Sequence, residues 1–194
     1  MTDRVILVAG LGRCGSSLVM QMLSAAGLPT VGTFPAFEDG LTLRLPSLEA
    51  QREFFARCPG HAFKLLDPQD HAPPVGLDYR CIFLTRHPVE QAKSMLKLAG
   101  MGNDRKARRA TEASVRRDTV RAREAVRRIG TGAVLSLPFE NIIHDPIGAA
   151  EAIASYLRPD RDPPLDVQAM ARCVRRRPAS CLPFMLEMEL IAHV

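Results

Sequence analysis

The chain has 194 residues, of which 46% are hydrophobic and 24% charged, a composition that suits one globular domain with a core of its own. Its five cysteines are scattered and form no C-x-x-C pair, which argues against a disulfide framework and a zinc site and indicates a reducing compartment. No stretch has the character of a signal sequence or a membrane span. We therefore expect a cytoplasmic protein that does not insert into a membrane.

The positive charge of the chain is concentrated in one segment. The formal net charge is +5, yet residues 104–128 alone hold ten Lys and Arg against four Asp and Glu, a difference of +6. Such a segment binds an anionic partner or is simply the solvated face of a helix, and the sequence leaves both interpretations open. No nucleic-acid-binding module is recognisable and tryptophan is absent, so we expect no nucleic-acid partner.

Strands and helices alternate along the chain. Short apolar runs typical of buried parallel strands lie at 5–9, 61–66, 80–85 and 133–137. Helical patterns lie at 16–26, 88–98, 104–129 and 145–157, the third of them with room for one break. This order predicts a single domain over 1–194 with three α/β/α layers around a central parallel sheet. Residues 32–60 are predicted to be an irregular, substrate-facing insertion, and 158–194 a C-terminal helical segment.

The sequence GLGRCGSS connects the first predicted strand to the first predicted helix. Its glycines let backbone N–H groups approach an anion, at the positive end of the helix that follows. Arg13 adds a planar cation, and Ser16 and Ser17 add hydroxyl groups. In the nucleotide-binding pattern G-x-x-x-x-G-K-[ST], Ser16 stands where the lysine belongs. The pattern predicts a P-loop NTPase-like fold whose loop serves a different phosphate-containing ligand.

A second anion-binding feature follows the third predicted strand. Arg86 lies at the carboxyl end of that strand, where open α/β sheets bind ligands, and Ser94 lies on the next helix. Their spacing across the turn allows both to reach one further phosphate. The strand ends in basic rather than acidic residues, so a magnesium site for phosphoryl transfer is disfavoured and no metal ligand is predicted.

Together these segments resemble the sulfotransferases that use 3′-phosphoadenosine 5′-phosphosulfate (PAPS). GLGRCGSS is similar to the family's 5′-phosphosulfate loop, R-S-G-T-[ST] in some members, and FLTRHPVEQAKS is similar to its 3′-phosphate motif. PFENIIHDPIGAAEAIASYL resembles the family's Y-E-D-L-x-x-D-P segment, and HAFKLLDP resembles the strand that carries its lysine. The resemblance covers residues 5–157 in order.

The resemblance implies transfer of a sulfuryl group from PAPS to a hydroxyl or amine acceptor, with adenosine 3′,5′-bisphosphate (PAP) as product and no metal. Arg13, Lys64 and Glu38 are the implied catalytic residues, with Glu38 as general base and Asp39, Asp67 and His71 as open alternatives. The implied donor-binding residues are Gly12, Arg13, Cys14, Gly15, Ser16, Ser17, Arg86, Ser94 and Phe139.

The chain departs from the family at two points. Leu66 stands where many members have a catalytic histidine, and the C-terminal R-K-G segment is absent. Arg175, Arg176 and Arg177 either substitute for that segment or form an exposed basic cluster. Two rival functions therefore remain, an ATP–Mg kinase of a small molecule or nucleotide and a nucleotide-binding protein without catalysis. The acceptor and the oligomeric state are not read from the sequence, and the phenylalanines at 34, 37, 54 and 55 either line an apolar pocket or belong to the core.

Overall fold

The computed structural model of the chain describes residues 4–38, 47–101, 104–129, 132–158 and 163–175. Its sheet has four parallel strands in the order β2-β1-β3-β4. The strands are β1 (Val5–Gly10), β2 (Ala62–Leu66), β3 (Tyr79–Thr85) and β4 (Val134–Pro138). Each begins and ends within one residue of its predicted position, so the predicted parallel sheet is confirmed.

Seven helices lie in the described parts of the chain. They are α1 (Ser16–Ala25), α2 (Leu48–Ala56), α3 (Pro88–Leu98), α4 (Arg105–Arg128), α5 (Phe139–His144), α6 (Pro146–Leu157) and α7 (Val167–Arg172). Helix α4 is one unbroken helix of 24 residues, so the break that its sequence allowed does not occur. No helix among the described residues is both long and apolar enough to cross a bilayer.

The sequence predicted that the segment 32–60 is irregular, but part of it is helical. Helix α2 occupies part of it, and the Ser47 hydroxyl caps this helix by accepting the N–H of Ala50 at 3.1 Å. Phe55 of α2 is buried and packs against Phe63 with ring centroids 4.7 Å apart. This packing explains the difference, because a nine-residue helix gains most of its stability from tertiary contacts that local composition does not reveal.

The core lies in two layers, one on each face of the sheet. Alternate residues of β1 point to opposite faces, so Ile6 and Val8 join one layer and Leu7 and Ala9 join the other. The first layer packs against α1, α6 and α7, and the second against α4 and Phe55. The predicted three-layer α/β/α architecture is therefore confirmed.

Helix α4 covers the second face of the sheet with an apolar stripe. Val115, Ala122 and Val126 are buried there, while most of the arginines are exposed. Its N-terminus is capped by Asp104, whose carboxylate accepts the N–H groups of Lys106 and Ala107. The burial of the apolar stripe accounts for the stability of a helix whose outer surface is highly charged.

An ion-pair network on α4 leads to a first prediction. The carboxylate of Asp118 accepts hydrogen bonds from Arg117, Ser114 and Arg121, and these bonds, that from Arg117 foremost, lower its pKa to about 2. The hydrogen bonds of Asp118 therefore stabilise the folded state fully above a pH of about 3.9, the pKa of an aspartate in the unfolded chain, and this stabilisation is lost as the pH falls through 2. Asp118→Asn should lower the free energy of unfolding at pH 7 by about 1 kcal/mol, since the group is partly exposed.

Thermal unfolding followed by circular dichroism at several pH values measures this effect. The difference in Tm between Asp118→Asn and the unaltered protein should be largest at pH 7 and shrink toward pH 3. Glu124→Gln is the matched control, because Glu124 pairs with Arg128 at a looser 3.8 Å on the exposed face of the same helix. Equal stability of Asp118→Asn and the unaltered protein at every pH would contradict the prediction.

Candidate active site

The loop between β1 and α1 turns sharply at the carboxyl edge of the sheet. Arg13 and Gly15 both have left-handed backbone angles, with φ of 68° and 96°. Such turns gather successive N–H groups into an anion-binding concavity. Gly15 is also covered by the ring of Phe139, since a Cβ atom on it would lie 2.8 Å from the ring carbon Cε2. The predicted glycine loop thus has a compact conformation that leads directly into α1.

The peptide groups of Gly12 are held from two sides. The Gly12 N–H donates to Oδ1 of Asp67 at 3.2 Å, and the Gly12 carbonyl accepts from Nε2 of Gln91 at 2.7 Å. Asp67 directly follows β2, and Gln91 lies in the first turn of α3. The loop is therefore fixed by the ends of two other elements that reach the same edge of the sheet.

The ammonium group of Lys64 lies next to the start of α1. Its Nζ donates to Oγ of Ser17 at 2.9 Å, to the carbonyl of Ala36 at 2.9 Å and to Oε1 of Glu38 at 2.8 Å. The Lys64 side chain is only 4% exposed, whereas that of Glu38 is 62% exposed. The three donors of a buried ammonium are thus satisfied, and its charge is balanced by a carboxylate that faces solvent.

The two predicted phosphate motifs touch each other. Nε of Arg13 donates to Oγ of Ser94 at 3.0 Å, and Nη1 of Arg86 donates to the backbone carbonyl of Arg13 at 3.2 Å. The guanidinium of Arg86 also stacks on Phe139, with its Cζ atom 4.7 Å from the ring centroid. These contacts join Ser94, Arg13, Arg86 and Phe139, which come from three separate sequence motifs, into one group of neighbouring residues.

Two contributors to this site were not predicted. Gln91 binds the loop, and Glu140 accepts the N–H of His87 at 2.8 Å, which ties the start of α5 to the turn after β3. A sequence signal existed for Gln91, because it lies three residues before Ser94 and hence on the same face of α3. Glu140 carries no such signal, since its partner is a backbone group of a distant turn.

The remaining predicted residues separate into several groups. Asp67 holds the loop through Gly12, and His71 is exposed at the surface. Phe37 and Phe55 are buried, while Phe34 is 55% exposed. The alternative base Asp39 and the basic residues 176 and 177 lie outside the described part of the chain. Among the described residues no three His, Cys, Asp or Glu side chains are grouped to hold a metal ion.

Comparisons with known proteins place this architecture. Residues 78–163 match the model of the family described as "Sulfotransferase family". No curated protein matches the chain. The segment that matches the family model contains the Arg86, Ser94 and Phe139 region and the helix after it.

Several solved structures share the fold at low sequence identity. The sulfotransferase STF9 from Mycobacterium avium is 16% identical with a TM-score of 0.53, and the alignment covers 89% of this chain and 67% of that one. Mouse sulfotransferase SULT7A1, complexed with PAP, is 14% identical with a TM-score of 0.57, covering 94% of this chain and 65% of that one. A sulfotransferase from Alicyclobacillus acidocaldarius is 16% identical with a TM-score of 0.52, and the alignment covers 99% of this chain and 90% of that one. The chain spans about two thirds of the length of the first two.

The parallel sheet, the glycine loop after β1 and the basic end of β3 define a P-loop-type α/β protein, as the sequence predicted. The family match and the shared fold confirm the resemblance to the sulfotransferase family that the motifs indicated.

Proposed function

We propose that this protein is a sulfotransferase that moves a sulfuryl group from PAPS to a hydroxyl or amine acceptor and releases PAP. One observation carries the proposal: three cationic side chains converge on residues 13–17. Arg13 belongs to this loop, Arg86 donates to the Arg13 carbonyl, and Lys64 donates to Ser17. Sulfuryl transfer, like phosphoryl transfer, depends on positioning and charge stabilisation, which this arrangement supplies.

The residues fit a donor with phosphate groups at both ends of a ribose. Gly12 has open space where a side chain would begin, with its nearest neighbour, an oxygen of Asp67, 4.0 Å away. The first turn of α1 contains no acidic residue, so no carboxylate of this turn neutralises the positive end of the helix. Gly15, Ser16 and Ser17 hold the 5′-phosphosulfate through their backbone N–H or hydroxyl groups, whereas the N–H of Gly12 donates to Asp67 and that of Cys14 to the carbonyl of Leu11, so these two residues shape the loop.

The second phosphate of the donor is bound by other residues than the first. Arg86 and Ser94 hold the 3′-phosphate, and Arg13 spans the two phosphate positions because its side chain reaches Ser94 from within the loop. Phe139 supports Arg86 by stacking. These assignments use the bidentate geometry that makes arginine a frequent phosphate ligand.

The chemistry itself rests on Lys64 and Glu38. The donor supplies the sulfuryl group, which passes to the acceptor oxygen or nitrogen while the bond to the phosphate oxygen breaks. Lys64 donates to the oxygen on which negative charge develops once Glu38 leaves its ammonium, since Ser17, Ala36 and Glu38 otherwise accept from all three of its N–H groups. The buried position of its side chain makes such a bond strong. Glu38 accepts the acceptor's proton, because it is the exposed carboxylate at Lys64 and can leave that contact without being desolvated.

Titration calorimetry with a panel of nucleotides tests the function. PAP should bind more tightly than ATP in the presence of magnesium, and incubation with PAPS and acceptor should form PAP. Preference for ATP–Mg would replace the proposal with a kinase. Binding of PAP without turnover of PAPS on any of a set of phenols, sugars and amines would replace it with a nucleotide-binding protein that lacks catalysis.

The 3′-phosphate assignment predicts the effect of Arg86→Ala. Loss of a charge-assisted hydrogen bond should weaken PAP binding by about 10- to 100-fold. Binding of adenosine 5′-phosphate, which lacks the 3′-phosphate, should change much less. Arg80→Ala is the matched control, since Arg80 stacks on Tyr156 from the same strand at its amino end. Equal losses for both nucleotides would contradict the assignment.

A further inference from the structure

Two side chains from outside the loop form hydrogen bonds with the backbone of Gly12, those of Gln91 and Asp67. Gln91 is only 1% exposed, although its side chain is polar. Burying an amide is costly unless it is hydrogen-bonded, and its Nε2 donates to the Gly12 carbonyl over a short 2.7 Å. A buried glutamine is thus directed at one carbonyl of the loop.

Asp67 holds the other side of the same residue. Its own backbone is left-handed, with φ of 51°, and its N–H donates to the carbonyl of Gly10 at 3.0 Å. Its carboxylate then accepts the N–H of Gly12. Gly10 and Gly12 are therefore both attached to the turn after β2, while Gln91 attaches Gly12 to α3.

The hydrogen bond from Gln91 has a consequence for the next peptide N–H. In a trans peptide the carbonyl of one residue and the N–H of the following residue point in opposite directions. Because Gln91 draws the Gly12 carbonyl toward α3, the N–H of Arg13 is directed away from α3. The orientation of an amide at the centre of the glycine loop thus depends on a side chain outside the loop.

We propose that Gln91 and Asp67 are positioning residues that orient the loop for the 5′-phosphate end of the donor. The inference rests on the proposed function, since it assigns the loop to the 5′-phosphate. It also gives Asp67 a role other than general base. The carboxylate acts by accepting one hydrogen bond, so a neutral side chain that accepts the same bond should replace it.

The test compares the affinity for PAP with the affinity for adenosine 3′-phosphate by titration calorimetry. The dissociation constant of adenosine 3′-phosphate divided by that of PAP is the ratio that measures what the 5′-phosphate contributes to binding. Gln91→Met keeps the length of the side chain but removes the amide, and we expect the ratio to fall about tenfold through weaker PAP binding. Binding of adenosine 3′-phosphate itself should stay the same within about twofold.

Gln21→Met controls for the loss of a buried glutamine as such. Gln21 is also buried and donates from Nε2 to a backbone carbonyl, that of Pro35 at 3.0 Å, outside the loop. The Gln21→Met variant should have a Tm lowered by an amount similar to that of Gln91→Met, and its ratio of dissociation constants should be unchanged. A purely structural role for Gln91 would lower the Tm without changing the ratio, and this result would overturn the inference.

A pair of variants at Asp67 keeps the inference testable if Gln91→Met does not fold. Asp67→Ala removes the acceptor and should lower the ratio, whereas Asp67→Asn retains an oxygen for the Gly12 N–H and should restore it. Equal loss in both variants overturns the inference, and failure of the unaltered protein to bind PAP overturns the proposed function instead.

Discussion

Replacing Lys64 with methionine is expected to lower kcat for sulfuryl transfer by about 10²- to 10³-fold, the usual effect of removing one donor that stabilises developing charge. The Lys64 ammonium is buried, so it acts with little screening by water. In the proposed mechanism Lys64 contacts the sulfuryl group, which PAP lacks, so the dissociation constant of PAP should change by no more than about threefold if the stabilisation is specific to the transition state.

Formation of PAP from PAPS, with phenols, sugars, amines or water as acceptor, provides the rate, and calorimetry with PAP provides the affinity. Lys93→Met is the matched control, because Lys93 pairs with Glu90 on the exposed surface of α3 rather than with a residue of the loop. An unchanged kcat in Lys64→Met would remove this residue from the mechanism. A loss confined to PAP affinity would make it a binding residue instead.

Replacing Gly15 with alanine is expected to be the most damaging single-methyl change in the loop. The new Cβ atom would overlap the ring of Phe139, and the residue would keep a φ of 96° that L-amino acids rarely adopt. The backbone term costs about 1–2 kcal/mol and the overlap about 1–3 kcal/mol. A decrease of roughly 2–5 kcal/mol in stability corresponds to a Tm lowered by about 4–20 °C. Binding of PAP should weaken by at least about tenfold, since moving the ring also moves its contact with Arg86.

Two further variants separate the backbone term from the overlap. Gly27 has a similar φ of 82°, but no described atom lies within 4 Å of the position that a methyl group would take there, so Gly27→Ala should show the backbone cost alone. Phe139→Ala combined with Gly15→Ala should recover part of the lost stability, because the ring that obstructs the methyl group is gone. If Gly15→Ala and Gly27→Ala were equally destabilised and the double variant showed no recovery, the contact with Phe139 would not matter.

The strands and the glycine loop between β1 and α1 were predictable because their signals are local. A fully apolar run such as Val5–Gly10 is typical of a parallel strand buried on both faces. The glycines that follow it, directly before a helical pattern, indicate a tight loop between the strand and the helix. Arg86 and Ser94 were found by their positions at the carboxyl end of β3 and on the next helix. Helix α2 was missed, since its nine residues depend on the packing of Phe55 against residues that come later in the chain.

The sequence by itself determined the parallel α/β architecture, the glycine loop between β1 and α1 and the cationic residues near it. Only the tertiary structure decided which side chains meet there. Lys64 reaches Ser17 across 47 positions, and Gly12 meets Asp67 and Gln91 across 55 and 79. Local periodicity specifies a strand or a helix, but contacts between elements depend on the strand order β2-β1-β3-β4, which exists only once the sheet has formed. The hold on the loop by Gln91 and Asp67 is therefore a property of the folded sheet.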